Sequence, residues 1–461
     1  MTDRPTSSPS TAPDRRPGAV AGDWNRRVLR IAGPIILSNL SVPLLGAVDT
    51  AVMGHQPEAA YLGGVAIGAL FFSFIYWGFG FLRMGTTGFA AQAYGAGEEK
   101  ELGATLLRPL LLGAGLGGLI VVLQAPLAGL ALHLLDPGAE VARLARSYID
   151  IRIWGAPATL MLYAILGWQL GIQRAASVLL LQLVLNGTNM ALTLLLVVGL
   201  DWRIEGAATG TLVAEYLALG LGLWLVRRSL AALAATIDWL RVRDRARLLA
   251  LVRVNADIFI RTACLQLVFG LFARSGAQFG DATLAGNAVL LQFQAFLAYG
   301  LDGFAHAVEV LAGSAVGAKS RKAFRSAVIV CSVWALVLAA LFTLVYALAG
   351  PWLIALFTDI SEVRAVAEAM LPWILASPLI SVWSYQLDGI FIGATRTAAM
   401  RNAMIVSLLF FIVAERLLTP AFGNDGLWTA LLIFMAMRAV TLGAYYPGLE
   451  RSLTGRKAQA A

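Results

Sequence analysis

What most limits this chain is a succession of apolar stretches, each long enough to cross a bilayer. A transmembrane helix needs about 20 predominantly apolar residues. Such runs fall at 29–53, 62–85, 104–133, 147–172, 178–200, 206–226, 250–274, 284–316, 323–349, 370–394, 400–422 and 427–447. Of 461 residues, 59% are apolar and 13% charged, where a soluble domain carries about 25% charged residues. A soluble globular domain, a disordered chain and a basic nucleic-acid binder are thereby excluded. With two cysteines and three histidines, neither a disulfide scaffold nor a multi-histidine metal site is expected. The expected fold class is an all-α polytopic membrane protein with twelve transmembrane helices.

The net charge of +8 speaks to orientation, because Lys and Arg collect in cytoplasmic loops. Arg15, Arg16, Arg26, Arg27 and Arg30 precede the first run. Arg227, Arg228, Arg241, Arg243, Arg245 and Arg247 follow the sixth. Lys319, Arg321, Lys322 and Arg325 follow the eighth, and Arg451, Arg456 and Lys457 follow the last. The alternate loops, at 55–61, 201–205, 275–283 and 423–426, are poor in cations, with Arg143, Arg146 and Arg364 as the main exceptions. Both termini are therefore expected in the cytoplasm, in a plasma or inner membrane. Residues 1–23 read as a disordered tail rich in Pro, Ser and Thr, and 449–461 as a second cytoplasmic tail.

The chain also repeats itself. Leu62-Gly63-Gly64-Val65-Ala66 reads against Leu284-Ala285-Gly286-Asn287-Ala288, Gly78 against Gly300, Gly95-Ala96 against Gly317-Ala318, and Gly171 with Arg174 against Gly393 with Arg396. Each pair lies 222 residues apart (284 − 62, 300 − 78, 317 − 95, 393 − 171). A constant register over this distance marks an internal repeat. Six spans per repeat give both halves the same orientation, the parallel-repeat architecture of transporters. The expected lobes are 24–226 and 250–448, joined by a basic cytoplasmic linker at 227–249. No GxxxxGK[ST], GxSxG or HExxH occurs, so neither an ATPase nor one of these hydrolase classes is indicated.

Charges within a bilayer are costly and mark functional or structural pairings. Span one carries Asp49, with Ser38 and Ser41 on its face and Pro34 and Pro43 in the same helix. Proline removes a backbone hydrogen bond, so a hinge below a titratable acid is expected; the alternative is an Asp49 lying at the outer interface beside Met53. Span five carries Gln182, Asn186, Asn189 and Thr193 on one stripe, which either lines a wet cavity or joins helices. Thr211 and Glu215 share a face of span six, and Glu215 is expected to take part in proton coupling. Asp302, His306 and Glu309 share a face of span eight, as a proton relay or a structural cluster. Ser377, Ser381, Ser384 and Asp388 share a face of span ten, beside Tyr385. Asn186, Met53 and Tyr385 are the expected lining of a substrate cavity. Arg83 is expected to pair with an acid, Asp257 with Arg261 at i, i+4, and Glu415 and Arg438 with partners of their own. The interior charges read as mainly acidic, and no metal site is expected.

These segments resemble the multidrug and toxic compound extrusion (MATE) transporters, and among them the DinF-type branch. The resemblance rests on Gly33-Pro34 through Val48-Asp49-Thr50-Ala51-Val52-Met53-Gly54, Phe81-Leu82-Arg83-Met84-Gly85-Thr86-Thr87-Gly88, Leu301-Asp302-Gly303-Phe304-Ala305-His306-Ala307-Val308-Glu309 and Leu387-Asp388-Gly389-Ile390-Phe391-Ile392-Gly393-Ala394. It covers nearly the whole chain beyond residue 24. It implies two six-helix lobes arranged as a V and export of organic cations in exchange for H⁺ or Na⁺. The coupling acid falls on Asp49, and its partners in sodium-linked relatives fall on Asn189, Thr193 and Thr211. Thr193 departs from the pattern, since the family's second acid is missing there. The second-lobe acid falls on Asp388. One carboxylate with neutral partners suits a proton better than Na⁺, which prefers several charged oxygens. The expectation is a proton-driven antiporter for lipophilic organic cations working by alternating access. It is expected to act as a monomer in contact with membrane lipid, without a bound cofactor, and not as an enzyme. Alternatives are Na⁺ coupling, or a lipid or precursor flippase of the same superfamily.

Overall fold

The structure, a computed structural model, describes residues 23–54 and 58–453. The expected tail at 1–23 lies outside these residues apart from Asp23, and so does the tail at 449–461 beyond Leu453. Among the described residues every regular element is a helix. The first half comprises α1 (Trp24–Gly54), α2 (Ala59–Gly78), α3 (Phe81–Ala96), α4 (Glu99–Val122), α5 (Gln124–Leu135), α6 (Ala139–Arg152), α7 (Ala156–Gly171), α8 (Ala175–Thr193) and α9 (Arg203–Ala232). The short α10 (Trp239–Val242) lies between the halves. The second half comprises α11 (Arg245–Ala277), α12 (Asp281–Gly317), α13 (Arg321–Phe357), α14 (Ser361–Gly393), α15 (Thr397–Gly443) and α16 (Tyr446–Ser452).

Among the described residues, ten helical stretches are long and apolar enough to cross a membrane, with α2 and α3 forming one of them and α6 and α7 another. Gly423, at φ 60°, breaks α15 into two arms, which adds one span. The 31-residue α1 adds another, giving the twelve expected. Both Pro34 and Pro43 lie inside α1, which continues through them. The N-terminal lobe is the more broken of the two. Gly78 and Gly80 sit at the α2–α3 junction, where two poor helix formers lower the cost of a break. The matching positions are Gly300 and Asp302, and α12 runs through them unbroken.

The repeat is visible in the helix boundaries. Helices α2, α4, α6 and α8 begin at 59, 99, 139 and 175, and α12, α13, α14 and α15 begin at 281, 321, 361 and 397, each 222 later. It is equally visible in packing. A side chain at Gly167 would run into the backbone carbonyl of Arg83, and one at Gly389 into that of Ala305. Both members of this contact are displaced by 222. Gly171 meets the carbonyl of Thr87 at 2.9 Å from an added Cβ, and Gly393 meets that of Glu309 still closer. Small residues let membrane helices approach to backbone contact, so the repeated glycines set the α3–α7 and α12–α14 crossings. Between the lobes the contact is reciprocal: Gly95 packs on the carbonyl of Ser314, and Gly317 on that of Gln92. Because 92 and 95 map onto 314 and 317, this contact lies on the pseudo-twofold axis.

Three apolar cores give the molecule its shape. One core is shared and draws on the start of α1 (Val28, Ile31), the end of α3 (Ala90, Ala93), the end of α9, the later half of α12 (Leu301, Phe304, Leu311) and the start of α13. The other two belong to single lobes. One holds Met53, Phe72, Tyr148 and Ile204 of the first half; the other holds Phe272, Phe293, Trp428 and Phe434 of the second. Successive spans reverse direction, so the members named here lie towards one end, and it is the end with the arginine-rich loops. The lobes therefore join there and divide towards the opposite end, as the arms of a V. The linker is pinned to the first lobe. Arg108, buried and paired with Glu101 at 2.7 Å, donates to the carbonyl of Arg241 at 2.6 Å.

Candidate functional site

The side chain of Asp49 lies outside the described residues. The register of α1 nevertheless places position 49 among known neighbours. Eleven residues beyond Ser38 is about three helical turns, so the two positions share a face. Helices α1 and α8 both start at the arginine-rich end and run in parallel. Asn186 on α8 donates to the hydroxyl of Ser41 on α1 at 2.7 Å. Seven or eight residues further along both helices, position 49 comes level with Thr193.

There the polar stripe of α8 turns to α9. Asn189 donates from its amide nitrogen to the Thr211 hydroxyl at 3.1 Å. The Thr193 hydroxyl donates to the amide oxygen of Asn189 at 3.1 Å, and Thr211 donates to the carbonyl of Ala207 at 3.0 Å. All of these side chains are buried. Asn186 thus joins helices, while Asn189, Thr193 and Thr211 form a closed chain of neutral groups at the level of position 49. Directly after Thr193 the helix widens into a π-helical segment, Leu194–Gly199. Such widenings are rare and concentrate at functional sites. Sequence spacing offers no sign of it.

Glu215 shares the face of Thr211 but belongs to another cluster. Its carboxylate lies 3.9 Å from the guanidinium of Arg152 and directly against Gly155. Arg152 and Gly155 were not identified as site residues from the sequence. Arg152 comes from the end of α6 and stacks over Phe72 at 4.6 Å. Met53 is buried in the outer core of the first lobe.

In the second lobe, Asp388 of α14 is clamped by two arginines. Arg261 of α11 donates to its Oδ2 in a very short contact, and Arg438 of α15 donates to the same oxygen at 2.8 Å. Arg438 also lies 5.8 Å from the centre of the Tyr385 ring. This corrects the expected Asp257–Arg261 pair. Asp257 instead takes Arg401 at 2.6 Å and Thr397 at 3.0 Å. Helical spacing puts Asp257 and Arg261 on one face, but each faces a different neighbouring helix, and buried charges pair across helices where water cannot serve them. Glu415 accepts from Ser275 at 2.7 Å. His306 and Glu309 meet at 2.8 Å. Ser377 binds Gln294 at 2.6 Å, so the serine stripe of α14 holds α12 and α14 together, apart from the Asp388 clamp.

Asp302 has no ion-pair partner among the described residues, and lies within electrostatic range of His306, Arg83, Arg261 and Asp388. Arg83, from the first lobe, likewise has no carboxylate within ion-pair distance among the described residues. It lies within electrostatic range of Tyr163 as well as of Asp302. Among the described residues, then, the interior acids Glu215, Asp302, Glu309 and Asp388 stand among the arginines Arg83, Arg152, Arg261 and Arg438. Sequence position alone did not show that Arg261 and Arg438 converge on one carboxylate.

The model of the MatE family matches residues 34–195 and again 258–415, one match in each lobe. The DNA damage-inducible protein F of Escherichia coli (strain K12) is 43% identical over 431 residues, covering 92% of this chain and 92% of the relative. A probable multidrug resistance protein NorM of Caulobacter vibrioides is 27% identical over 336 residues, 69% of each chain. Among solved structures, a transporter of the MOP superfamily from Pyrococcus furiosus has the same fold, with a TM-score of 0.84 at 16% identity over 94% of this chain and 97% of that one. With a family match in each lobe and one relative alike along nearly its whole length, the chain belongs to the MatE family, the multidrug and toxic compound extrusion transporters.

Proposed function

We propose that this secondary transporter, which is not an enzyme, exports lipophilic organic cations from the cytoplasm in exchange for protons. It does so across the inner membrane, with both termini cytoplasmic and the arginine-rich end of the V facing inwards. Asp49 is the exchanging group. As a carboxylate in a low-dielectric cleft it attracts a cation to the apolar wall. Protonation from the open end removes that counter-charge, α1 repacks around Pro34 and Pro43, and the cation leaves. The membrane potential contributes about 2.3 kcal/mol per charge per 100 mV, so net charge moved per cycle sets how far export can be driven.

The observation that favours H⁺ over Na⁺ is the closed hydrogen-bond chain beside position 49. The Asn189 amide oxygen already accepts from Thr193, and the Thr211 hydroxyl both accepts from Asn189 and donates to Ala207. Sodium needs several free oxygens and favours charged ones. A proton needs only the carboxylate. The interior arginines weigh towards a flippase of phosphate-bearing lipids, but Glu215 and Asp388 counter three of the four.

The test uses purified protein in proteoliposomes with a fluorescent cationic dye. An imposed pH gradient is expected to drive dye movement, with a matching pH change outside. An imposed Na⁺ gradient at equal pH is expected to drive none. Dye movement under Na⁺ alone would replace the proton reading, and flux that ignores both gradients would indicate a channel.

A further inference from the structure

The missing second acid at Thr193 has a counterpart elsewhere in the first lobe. Glu215 is 5% exposed, and its carboxylate is only loosely engaged: its one ion pair, to Arg152, is at 3.9 Å. Its Oε2 makes no close hydrogen bond among the described residues. By contrast Asp388 is gripped by two guanidinia, and Glu309, though its Oε1 is likewise without a close hydrogen bond, is held by His306 at 2.8 Å. Among the described residues, three more buried polar atoms of its surroundings make no close hydrogen bond: Tyr76 Oη of α2, Arg152 Nε of α6 and Thr159 Oγ1 of α7, the last lying near enough to interact with both Glu215 and Tyr76. Orphaned polar atoms are rare in protein interiors. Four in one cluster, contributed by four helices, describe a small polar chamber that calls for a proton or water to complete it. Gly155 leaves room there for the Glu215 carboxylate, with which a Cβ would collide.

We propose that Glu215, in the chamber formed with Arg152, Tyr76 and Thr159, is a second proton-binding site of the first lobe. It rests on the proton-exchange reading of Asp49 and adds to the number of protons moved per cation. The charge arrangement tolerates the change. When Glu215 takes up a proton, Arg152 keeps the ring of Phe72 at 4.6 Å and of Tyr148 at 5.7 Å, and its bond to the Tyr148 hydroxyl at 3.2 Å. The groups facing Glu215 are few. Helix α6 offers Arg152 and Tyr148, α7 offers Thr159 and Tyr163, and α2 offers Tyr76. One turn before Glu215 on α9, Thr211 meets the neutral Asn189 of α8, which in turn takes Thr193. Arg83 lies beyond, within range of Tyr163. On α9 itself Glu215 follows Thr211 by one turn, so it sits beside the hydrogen-bonded chain of Asn189, Thr193 and Thr211.

The test counts protons released when tetraphenylphosphonium binds to the purified transporter in weakly buffered detergent. Glu215→Gln is expected to bind the cation and release about one proton fewer than the unmodified protein. Glu215→Asp, which keeps the carboxyl group, is expected to restore the release. Asp49→Asn is expected to lose its own proton and keep that of Glu215. Equal release from Glu215→Gln and the unmodified protein would overturn the proposal, as would Asp49→Asn abolishing release altogether. If instead Glu215→Gln alone abolishes release and Asp49→Asn changes nothing, this site stands and the Asp49 reading falls. Should Glu215→Gln fold poorly, the unmodified protein still decides the matter by infrared difference spectra between acid and neutral pH. Carboxylic C=O bands that the Asp49→Asn variant retains support the site, and their complete loss in that variant contradicts it.

Discussion

Asp388→Ala is expected to destabilise the transporter by about 3–5 kcal/mol, the usual cost of removing one partner of a buried ion pair. Asp388 is 9% exposed and Arg438 4%, and Arg261 is the second guanidinium on the same Oδ2. Alanine would leave both guanidinia without an ion-pair partner among the described residues, where their Nε atoms already lack hydrogen bonds. The measurement is thermal unfolding in detergent, read as a large fall in the midpoint. The triple change Asp388→Leu, Arg261→Met and Arg438→Met removes the charges together and is expected to recover most of the loss, since apolar replacement of a buried ionic cluster is often neutral or stabilising. An Asp388→Ala protein that melts with the unmodified one would refute the clamp. This role differs from the one the family resemblance implied. With both arginines in place, Asp388 holds α11, α14 and α15 together at the junction with α12.

Gly317→Leu is expected to abolish transport while sparing the fold of each lobe. Gly317 packs on the backbone of Gln92 and Gly95 on that of Ser314, so a leucine enters the axis where the lobes join. Gln92 also ties the lobes by donating to the carbonyl of Gly393 at 2.9 Å. Overpacking costs about 1–3 kcal/mol. Placed at the junction, that penalty falls on the joined conformation and shifts the balance between the two open states by about 5–150-fold. Dye export should fall accordingly, with cation binding retained. Gly115→Leu is the control, because a Cβ at Gly115 meets nothing within 4 Å. Normal export by Gly317→Leu would show that this end need not close as tightly as the glycine contacts imply.

The helical class, the number of spans and the repeat were legible because bilayer thickness fixes helix length, and glycine spacing is imposed by backbone contact. Gly95 and Gly317 stood out in the sequence for the reason they matter in the fold. Pairings were less legible. Asp257 and Arg261 are ideally spaced for each other, but the helices around them supply Arg401 and Asp388, and no local rule foresees a partner 127 residues away. The stripe of α8 was legible as a stripe. Its division, with Asn186 given to α1 and Asn189 to α9, depends on which helices flank it. Glu215 was read with Thr211 from spacing alone, whereas its surroundings come from α2, α6 and α7. The π-helical segment after Thr193 arises from packing of Leu194–Gly199 and leaves no mark in apolar periodicity.

The most direct test of the account compares Asp49→Asn with the unmodified transporter in proteoliposomes under the same imposed pH gradient. The account predicts that the unmodified protein couples dye movement to proton movement. It predicts that Asp49→Asn, folded and inserted to the same extent, moves neither in response to the gradient. Proton-driven dye movement at the unmodified rate by Asp49→Asn would contradict it.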